Sequence, residues 1–573
     1  MNILGIHDGH NASAALLCGR RLVRVVQEER FSGLKNHGGF PARAVEWMLR
    51  DTGLRPQDLD AVVLGQWSKS TGYTREDILA SYHRTATEPP PVVRDWIRQA
   101  RVQVLRQAGV YEQFKARFDT ARFTAARAAL PTVDADRITA VDHHTAHAAG
   151  AYYGAHFTGE PALVLTLDGQ GDGLCASVNV ADARGVRRIA STPAGHSIGD
   201  IYARVTHLMG MVPLEHEYKL MGLAPYVEDE KAEKVSRIFE QYVEVDGLSF
   251  RRRTPEATPY IGARLKRDLE YVRFDAIAAG LQRFTEKRMV EWARNALRHT
   301  GLRKLALGGG TFMNVKANGL IARLDEVDDI FICPSCGDES LSLGAAWQYH
   351  ADRTEGRELP EPLDTLYLGP DIDPVEAAAI AAATPGAEVI ADRDLPQRVA
   401  ALLADGEIVA RCAGRTEFGA RALGNRSLFA DPARSLATRT LNQAIKMRDF
   451  WMPFAPIMLS DRQGSYLLNP KGIRSPHMMF AYDTCPERFA DMASALQPAD
   501  RTARAQLLLR GQNPEVEAML EAFEARTGRA VILNTSYNIH GEAMVSTPAQ
   551  GLDVLRRSGL KWLWLGPLLV RKT

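Results

Sequence analysis

Nowhere in its 573 residues does the chain run through about 18 consecutive apolar side chains, so it offers no membrane-spanning helix. The opening Met1-Asn2-Ile3-Leu4-Gly5-Ile6-His7-Asp8 lacks the basic start and long apolar stretch of a secretory leader, and a cytoplasmic location is expected. Net charge is almost absent: 70 basic against 69 acidic side chains leave +1, too little to draw the whole chain to nucleic acid or to a membrane surface. Any anionic substrate must therefore be held by local Arg and Lys. Cysteines are sparse, at 18, 175, 333, 336, 412 and 485, as suits a reducing compartment. Cys333 and Cys336 have CxxC spacing, but no second pair completes a four-sulfur zinc site, and they read as buried thiols beside a turn.

What is present is an ordinary globular composition, 45% hydrophobic and 24% charged. A chain of 573 residues exceeds one core and predicts two to four folded units at about 150 residues each. Two segments share one plan. Ile3 to His7 leads into Asp8-Gly9, then Ala12 to Cys18 and Leu22 to Val26; Leu163 to Leu167 leads into Asp168-Gly169, then Gly173 to Val180 and Val186 to Ile189. A strand, an Asp-Gly turn and a hairpin used twice form a candidate internal repeat of the kind that builds actin-like and sugar-kinase-like ATPases. Leu305-Ala306-Leu307-Gly308-Gly309-Gly310, followed by Asn314, is a third glycine cluster, suited either to close approach of a nucleotide or to tight backbone packing. Polar, proline-containing residues 351–362 read as a linker, so the expected domains are 1–355 and 363–573. The second should open with an Ala-rich helix and then a strand over Glu407 to Ala410.

His143 and His147, four apart in an Ala-rich helical stretch, project from one face and can grip one metal ion or simply form a histidine cluster. Asp168, ending a strand, and Asp338, ahead of a second Ala-rich helix, tip the reading towards a two-His, two-Asp site, although each also suits a turn or a cap. Such donors favour iron or manganese, with zinc possible, over calcium. The later part of the chain is densest in cations: Arg421 and Arg426 within Gly419 to Ser427, then Lys446, Arg448, Arg501 and Arg504, interleaved with Gly, Phe, Trp and Pro as a phosphate-binding site would be. Asn534, Ser536 and Asn538 end an apolar strand where polar groups face either a ligand or a turn.

Taken in order, Asp8 to Ala15, Glu28-Glu29-Arg30-Phe31, His143 to His147, Asp168 to Gly171, Lys219 to Ala224, Gly419 to Ser427 and Leu533 to Asn538 resemble the O-carbamoyltransferases of antibiotic and nodulation-factor biosynthesis over nearly the whole chain. The resemblance implies an α/β protein with an N-terminal actin/sugar-kinase-like domain, like the tRNA threonylcarbamoyl-transfer protein, and a C-terminal twisted α/β domain like threonylcarbamoyl-adenylate synthase. It implies that carbamoyl phosphate and ATP give carbamoyl-adenylate, whose carbamoyl group passes to a hydroxyl of a small molecule, with Mg-ATP as co-substrate. By the same resemblance the metal ligands fall on His143, His147, Asp168 and Asp338; the transfer residues on His10, Asp8 and Lys35; the carbamoyl phosphate and ATP contacts on Arg421, Lys446, Arg448, Arg504, Ser536 and Asn534; and first-domain nucleotide contacts on Lys219, Gly308, Gly309, Gly310 and Asn314. Met452 replaces an Arg that relatives carry before Pro-Phe-Ala-Pro, and Arg448 stands near enough to substitute. Residues 67 to 135 carry no readable motif, and Trp67, Tyr73 and Trp96 there are candidates for an acceptor pocket. An actin-superfamily kinase would leave the histidine pair and the cationic region unexplained; a tRNA-modifying enzyme would need a basic stripe that is not evident.

Overall fold

The computed structural model describes residues 1–68, 74–87, 120–390 and 394–573, with single residues between 97 and 110. The chain forms two compact units: Met1–Glu28 with His37–Asp364, and Glu29–Asn36 with Thr365–Thr573. Tyr73 and Trp96 lie outside the described residues. Among the described residues no helix is long and apolar enough to cross a membrane.

The first unit contains two five-stranded sheets. One joins β1 (Asn2–His7), β2 (Ser13–Cys18), β3 (Arg21–Gln27), β4 (Ala61–Leu64) and β5 (Ile138–Ala140) in the order β3-β2-β1-β4-β5. The other joins β6 (Ala162–Gly171), β7 (Leu174–Asp182), β8 (Gly185–Pro193), β11 (Lys304–Gly308) and β12 (Asp329–Ile332) in the order β12-β11-β6-β7-β8, with a small hairpin of β9 (Val243–Asp246) and β10 (Ser249–Arg252) set apart. In each sheet an antiparallel three-stranded meander is followed by two parallel strands. The repeated Asp-Gly pattern thus marks a repeated sheet. The copies differ locally: β1 stops at His7, whereas β6 runs on through Asp168 to Gly171 with a register shift between Leu167 and Gly171.

Two helices, His143–Tyr153 and Leu341–Arg353, pack against each other beside these strands. Asp142 caps the first, its side chain accepting the Thr145 N–H. The crossing is close because it is made through glycine: a Cβ on Gly344 would fall 2.0 Å from the Ala146 carbonyl oxygen. The second helix continues to Arg353, into the polar stretch that reads as linker, and the rest of that stretch is tied to the first unit by Glu361 N–H to Arg20 O (2.9 Å) and Leu363 N–H to Gly154 O (3.2 Å).

The second unit is built on β13 (Ala387–Ile390), β14 (Val409–Cys412), β15 (Arg426–Ala430), β16 (Ala455–Leu459), β19 (Gln506–Leu508), β20 (Ile532–Ser536), β21 (Trp562–Leu565) and β22 (Leu568–Lys572), in the order β13-β22-β21-β14-β15-β20-β16-β19; β17 (Leu467–Leu468) and β18 (Asp483–Thr484) pair separately. Alternate residues feed two cores. Ala410, Leu428, Leu533 and Leu563 join one apolar cluster, while Val409, Phe429, Ile532 and Trp562 join another, the outcome of period-two strands covered on both faces. The expected Ala-rich helix is Pro374–Ala383, but β13 and a second helix, Leu395–Ala404, intervene before the strand, which begins at Val409 rather than Glu407. Gly406, at φ 92°, turns the chain out of that second helix and delays the strand.

Candidate metal centre and anion site

In the first unit the packed helices and β6 bring four side chains to one point. His143 and His147 point from the first turns of their helix, Asp168 from β6, and Asp338 from the turn Asp338–Ser340 that opens the helix Leu341–Arg353. Their donor atoms all lie within 4.8 Å of one another. The Asp168 carboxylate stands 3.0 Å from His147 Nε2 and 3.5 Å from His143 Nε2, and Asp338 stands 3.7 and 3.8 Å from the same two nitrogens. His143 Nδ1–H donates to Gln66 Oε1 at 3.1 Å, which leaves the Nε2 lone pair turned to the cluster. That Nε2 is buried and has no hydrogen-bond partner among the described residues, as suits a ligand nitrogen. His147 Nδ1 is steadied by the Ser340 hydroxyl at 3.3 Å. The residues present therefore fit a divalent ion with mixed imidazole and carboxylate donors. Burial opposes charge on His147, but Asp168 and Asp338 outweigh it and lift its pKa to about 9. Asp168, despite burial, is held well below the usual carboxylate range by His143 and His147. Glycine again makes room, since a Cβ on Gly171 would sit 2.1 Å from His143 Cγ. His144, between the pair, is instead a core histidine bonded to Thr166 Oγ1 at 2.8 Å.

The other first-unit candidates divide. Asp8 is buried just beyond β1, and the His10 carbonyl accepts the His7 Nε2–H at 2.9 Å. His7 went unremarked in the sequence. Burial lowers its pKa to about 4, while the charges of Asp338 and Asp8 act to raise it, so it lies within electrostatic reach of the cluster. The Gly308–Gly310 turn packs directly on the cluster: Cβ atoms on Gly308 and Gly309 would meet the His147 and Leu167 carbonyl oxygens at 2.6 and 2.4 Å, and Gly310 N–H donates to Asp168 at 3.3 Å. Close packing thus accounts for these glycines. Asn314 is committed to capping the helix Val315–Ala322 and to Gln282, and Lys219 sits partly exposed on the helix Glu217–Leu223. Two buried carboxyls were missed. Asp200, at the start of the helix Ile198–Leu208, is pushed up to about 7 by burial, with Arg204 opposing and Asp168 reinforcing. Glu339, likewise at about 7 through burial, is bonded to Asn11 and to Ser335. Adjacency to Asp338 was the available signal for Glu339; nothing local marked Asp200. Cys333 and Cys336 are free, buried thiols. Trp67 donates its backbone N–H to Asp172, and its buried indole N–H has no partner among the described residues.

In the second unit the cations converge. Lys446 ends a π-helical turn, Asn442–Lys446, a geometry frequent at functional sites. Its ammonium, 2% exposed, donates to Ser536 Oγ (3.1 Å), Asn538 O (3.1 Å) and Asn538 Oδ1 (2.7 Å). Arg448 donates to Thr535 Oγ1 at 3.1 Å and lies 5.0 Å over the Phe454 ring. Burial, then Arg448 and Lys35, press the Lys446 pKa well below its usual value; burial, then Arg421 and Arg448, do the same to Arg504. A guanidinium keeps its proton, so the consequence is a partly buried cluster of positive charge that favours an anion. Asn534 is mostly structural, its Nδ2 donating to Ala422 O and Gln506 Oε1, although its buried Oδ1 has no partner. Met452 is buried, and the Arg448 fork reaches β20 from the same loop. The segment Glu29–Asn36, which carries Lys35, groups with the second unit.

The family pattern described as Carbamoyltransferase N-terminus matches residues 2–347, and Carbamoyltransferase C-terminus matches residues 400–572. The chain belongs to the carbamoyltransferase family. Relatives of this carbamoyltransferase include nodulation protein NolNO of Sinorhizobium fredii, 29% identical over 98% of this chain and 79% of that protein. Nodulation protein NolO of Bradyrhizobium diazoefficiens is 30% identical over 75% of this chain and 79% of its own length, and nodulation protein U of the same organism is 28% identical over 100% and 98%. Among solved structures, HypF of T. kodakarensis covers 62% of this chain and 48% of its own at 15% identity and a TM-score of 0.33.

Proposed function

We propose that this carbamoyltransferase works in two ATP-dependent stages, the first in the second unit and the second in the first. Water hydrolyses carbamoyl phosphate to carbamate and inorganic phosphate, a carbamate oxygen attacks the α-phosphorus of ATP, and pyrophosphate leaves, giving carbamoyl-adenylate. A small-molecule hydroxyl then attacks the carbamoyl carbon, and the bond to AMP breaks. The order follows from reactivity, because carbamate is a poor electrophile until its oxygen is made a good leaving group.

The observation that carries the reading is the second-unit cluster, where buried Lys446 bonds to Ser536 and Asn538, Arg448 bonds to the neighbouring Thr535, and the charges acting on Lys446 and on partly buried Arg504 are positive. Lys446, Arg421, Arg448 and Arg504 would bind phosphate groups, with Ser536 and the Asn534 Oδ1 orienting them. In the first unit His10 would take the proton of the acceptor hydroxyl, with Asp8 orienting it. Lys219 and the Gly308–Gly310 turn would meet the nucleotide, with Asn314 supporting that turn through its cap. A divalent ion held by His143, His147, Asp168 and Asp338, iron or manganese before zinc, would supply charge for a phosphate or carbonyl oxygen. The acceptor is read as a natural-product hydroxyl.

Purified protein given ATP and carbamoyl phosphate without acceptor should release pyrophosphate, and the Lys446→Ala variant should not. ATP consumption to ADP that ignores carbamoyl phosphate would replace this reading with a kinase-like one.

A further inference from the structure

Asp338, Glu339 and Ser340 make one short turn, and each reaches a different partner within the first unit. Asp338 faces the imidazoles of His143 and His147, and the Ser340 hydroxyl steadies His147 Nδ1 at 3.3 Å. Glu339, 4% exposed, bonds across 328 residues of chain: its Oε2 accepts from the Asn11 side-chain amide at 2.8 Å. Its Oε1 accepts from the Ser335 hydroxyl, and its backbone carbonyl accepts from Ser13 Oγ at 2.7 Å. The Asn11 amide is used at both ends, since its Oδ1 accepts from Gln27 Nε2 at 2.7 Å. Asn11 needs these bonds. It holds a φ of 62°, a left-handed conformation that an L residue keeps only when its surroundings impose it. His10 directly precedes it, in the loop between β1 and β2.

We propose that Glu339 is a positioning residue that couples occupancy of the metal centre to the order of the loop that carries His10. Asp168 and Asp338 bring like charges to donor atoms within 4.8 Å of one another, a repulsion that a bound cation removes. Fixing Asp338 fixes its neighbour in a turn of three residues, and the Glu339–Asn11 bond passes that constraint to the loop. The Glu339 carboxylate serves as acceptor of two hydrogen bonds rather than as a charge. Glutamine can therefore replace it, its carbonyl accepting from Asn11 and its amide N–H donating to the Ser335 oxygen. The assignment rests on the metal reading of the His143, His147, Asp168 and Asp338 cluster.

Hydrogen exchange read by mass spectrometry on the full-length protein, metal-free and with Mn(II), tests the coupling without acceptor or turnover. In the wild type Mn(II) should bind stoichiometrically by calorimetry and slow exchange about tenfold across residues 8–13. Glu339→Gln should respond as the wild type does. Glu339→Ala should bind Mn(II) within about tenfold of wild-type affinity and yet leave the exchange of that loop unchanged on loading. Asn11→Gly cuts the same bond from its other end without straining a positive φ, and should behave as Glu339→Ala does, deciding the matter if that variant fails to fold. Protection of the loop by Mn(II) that is as strong in these two variants as in the wild type, or that is missing from the wild type although Mn(II) binds, would overturn the coupling. Absence of Mn(II) binding by the wild type would instead remove the metal reading, and the coupling with it.

Discussion

In the first unit two imidazoles and two carboxylates face one another within 4.8 Å, so opposite charges are already matched there. In the second unit a lysine and several arginines gather, with the Ser536 hydroxyl and the Asn538 amide oxygen accepting from Lys446. The first arrangement is suited to a cation, which would displace a proton held between His147 and its carboxylates. The second is suited to an anion. Elements of opposite electrostatic need, carried by one chain of net charge +1, explain why whole-chain charge says so little about what is bound.

The largest effect should come from deleting the charge that organises the anion site. Lys446→Ala should lower acceptor-free pyrophosphate release on the order of a hundredfold or more, while metal content measured by elemental analysis stays at the wild-type level. The reciprocal change, Asp168→Asn, should empty the metal centre and leave carbamoyl phosphate affinity within about twofold, read by the same two assays. If either variant moved both readouts equally, the two sites would not be separable as described.

Stability offers a second contrast. Gly344→Ala places a methyl 2.0 Å from the Ala146 oxygen at the helix crossing that frames the metal ligands, so thermal unfolding should show the first unit destabilised by about 3 kcal/mol. Thr547→Ala removes a capping box from the helix Pro548–Arg557 and should cost the second unit about 1 kcal/mol.

Proton bookkeeping sharpens the comparison with the smallest signal. A lysine pKa lowered on folding costs stability wherever the unfolded chain holds the proton and the folded one does not. Second-unit stability should therefore rise with pH through the window between the depressed Lys446 value and the ordinary 10.5. A bound phosphate favours the charged amine, so binding should take up protons, seen as a buffer-dependent heat that Lys446→Ala abolishes.

The cluster of His143, His147, Asp168 and Asp338 was legible because chemistry at helical spacing and at a strand end survives in one dimension: His143 and His147 share a face whatever the fold, and the repeated Asp-Gly pattern announced the repeated sheet. Gln66, Ser340 and His7 were not legible, since their roles come from contacts across 77, 193 and more than a hundred residues of chain, which no local pattern encodes. The glycines at 308–310 were ambiguous between ligand and packing until the His147 and Leu167 carbonyls were seen against them.

Composition, periodicity and motif order by themselves determined the α/β class, the family resemblance and the residue types of both sites, because these depend on side-chain chemistry and local repeat. Only the tertiary structure decided which unit each residue serves. The segment Glu29–Asn36 shows the reason: eight residues can follow the first unit in sequence and still group with the second, because contacts such as the buried Arg30–Gly419 bond span 389 positions that no local pattern encodes.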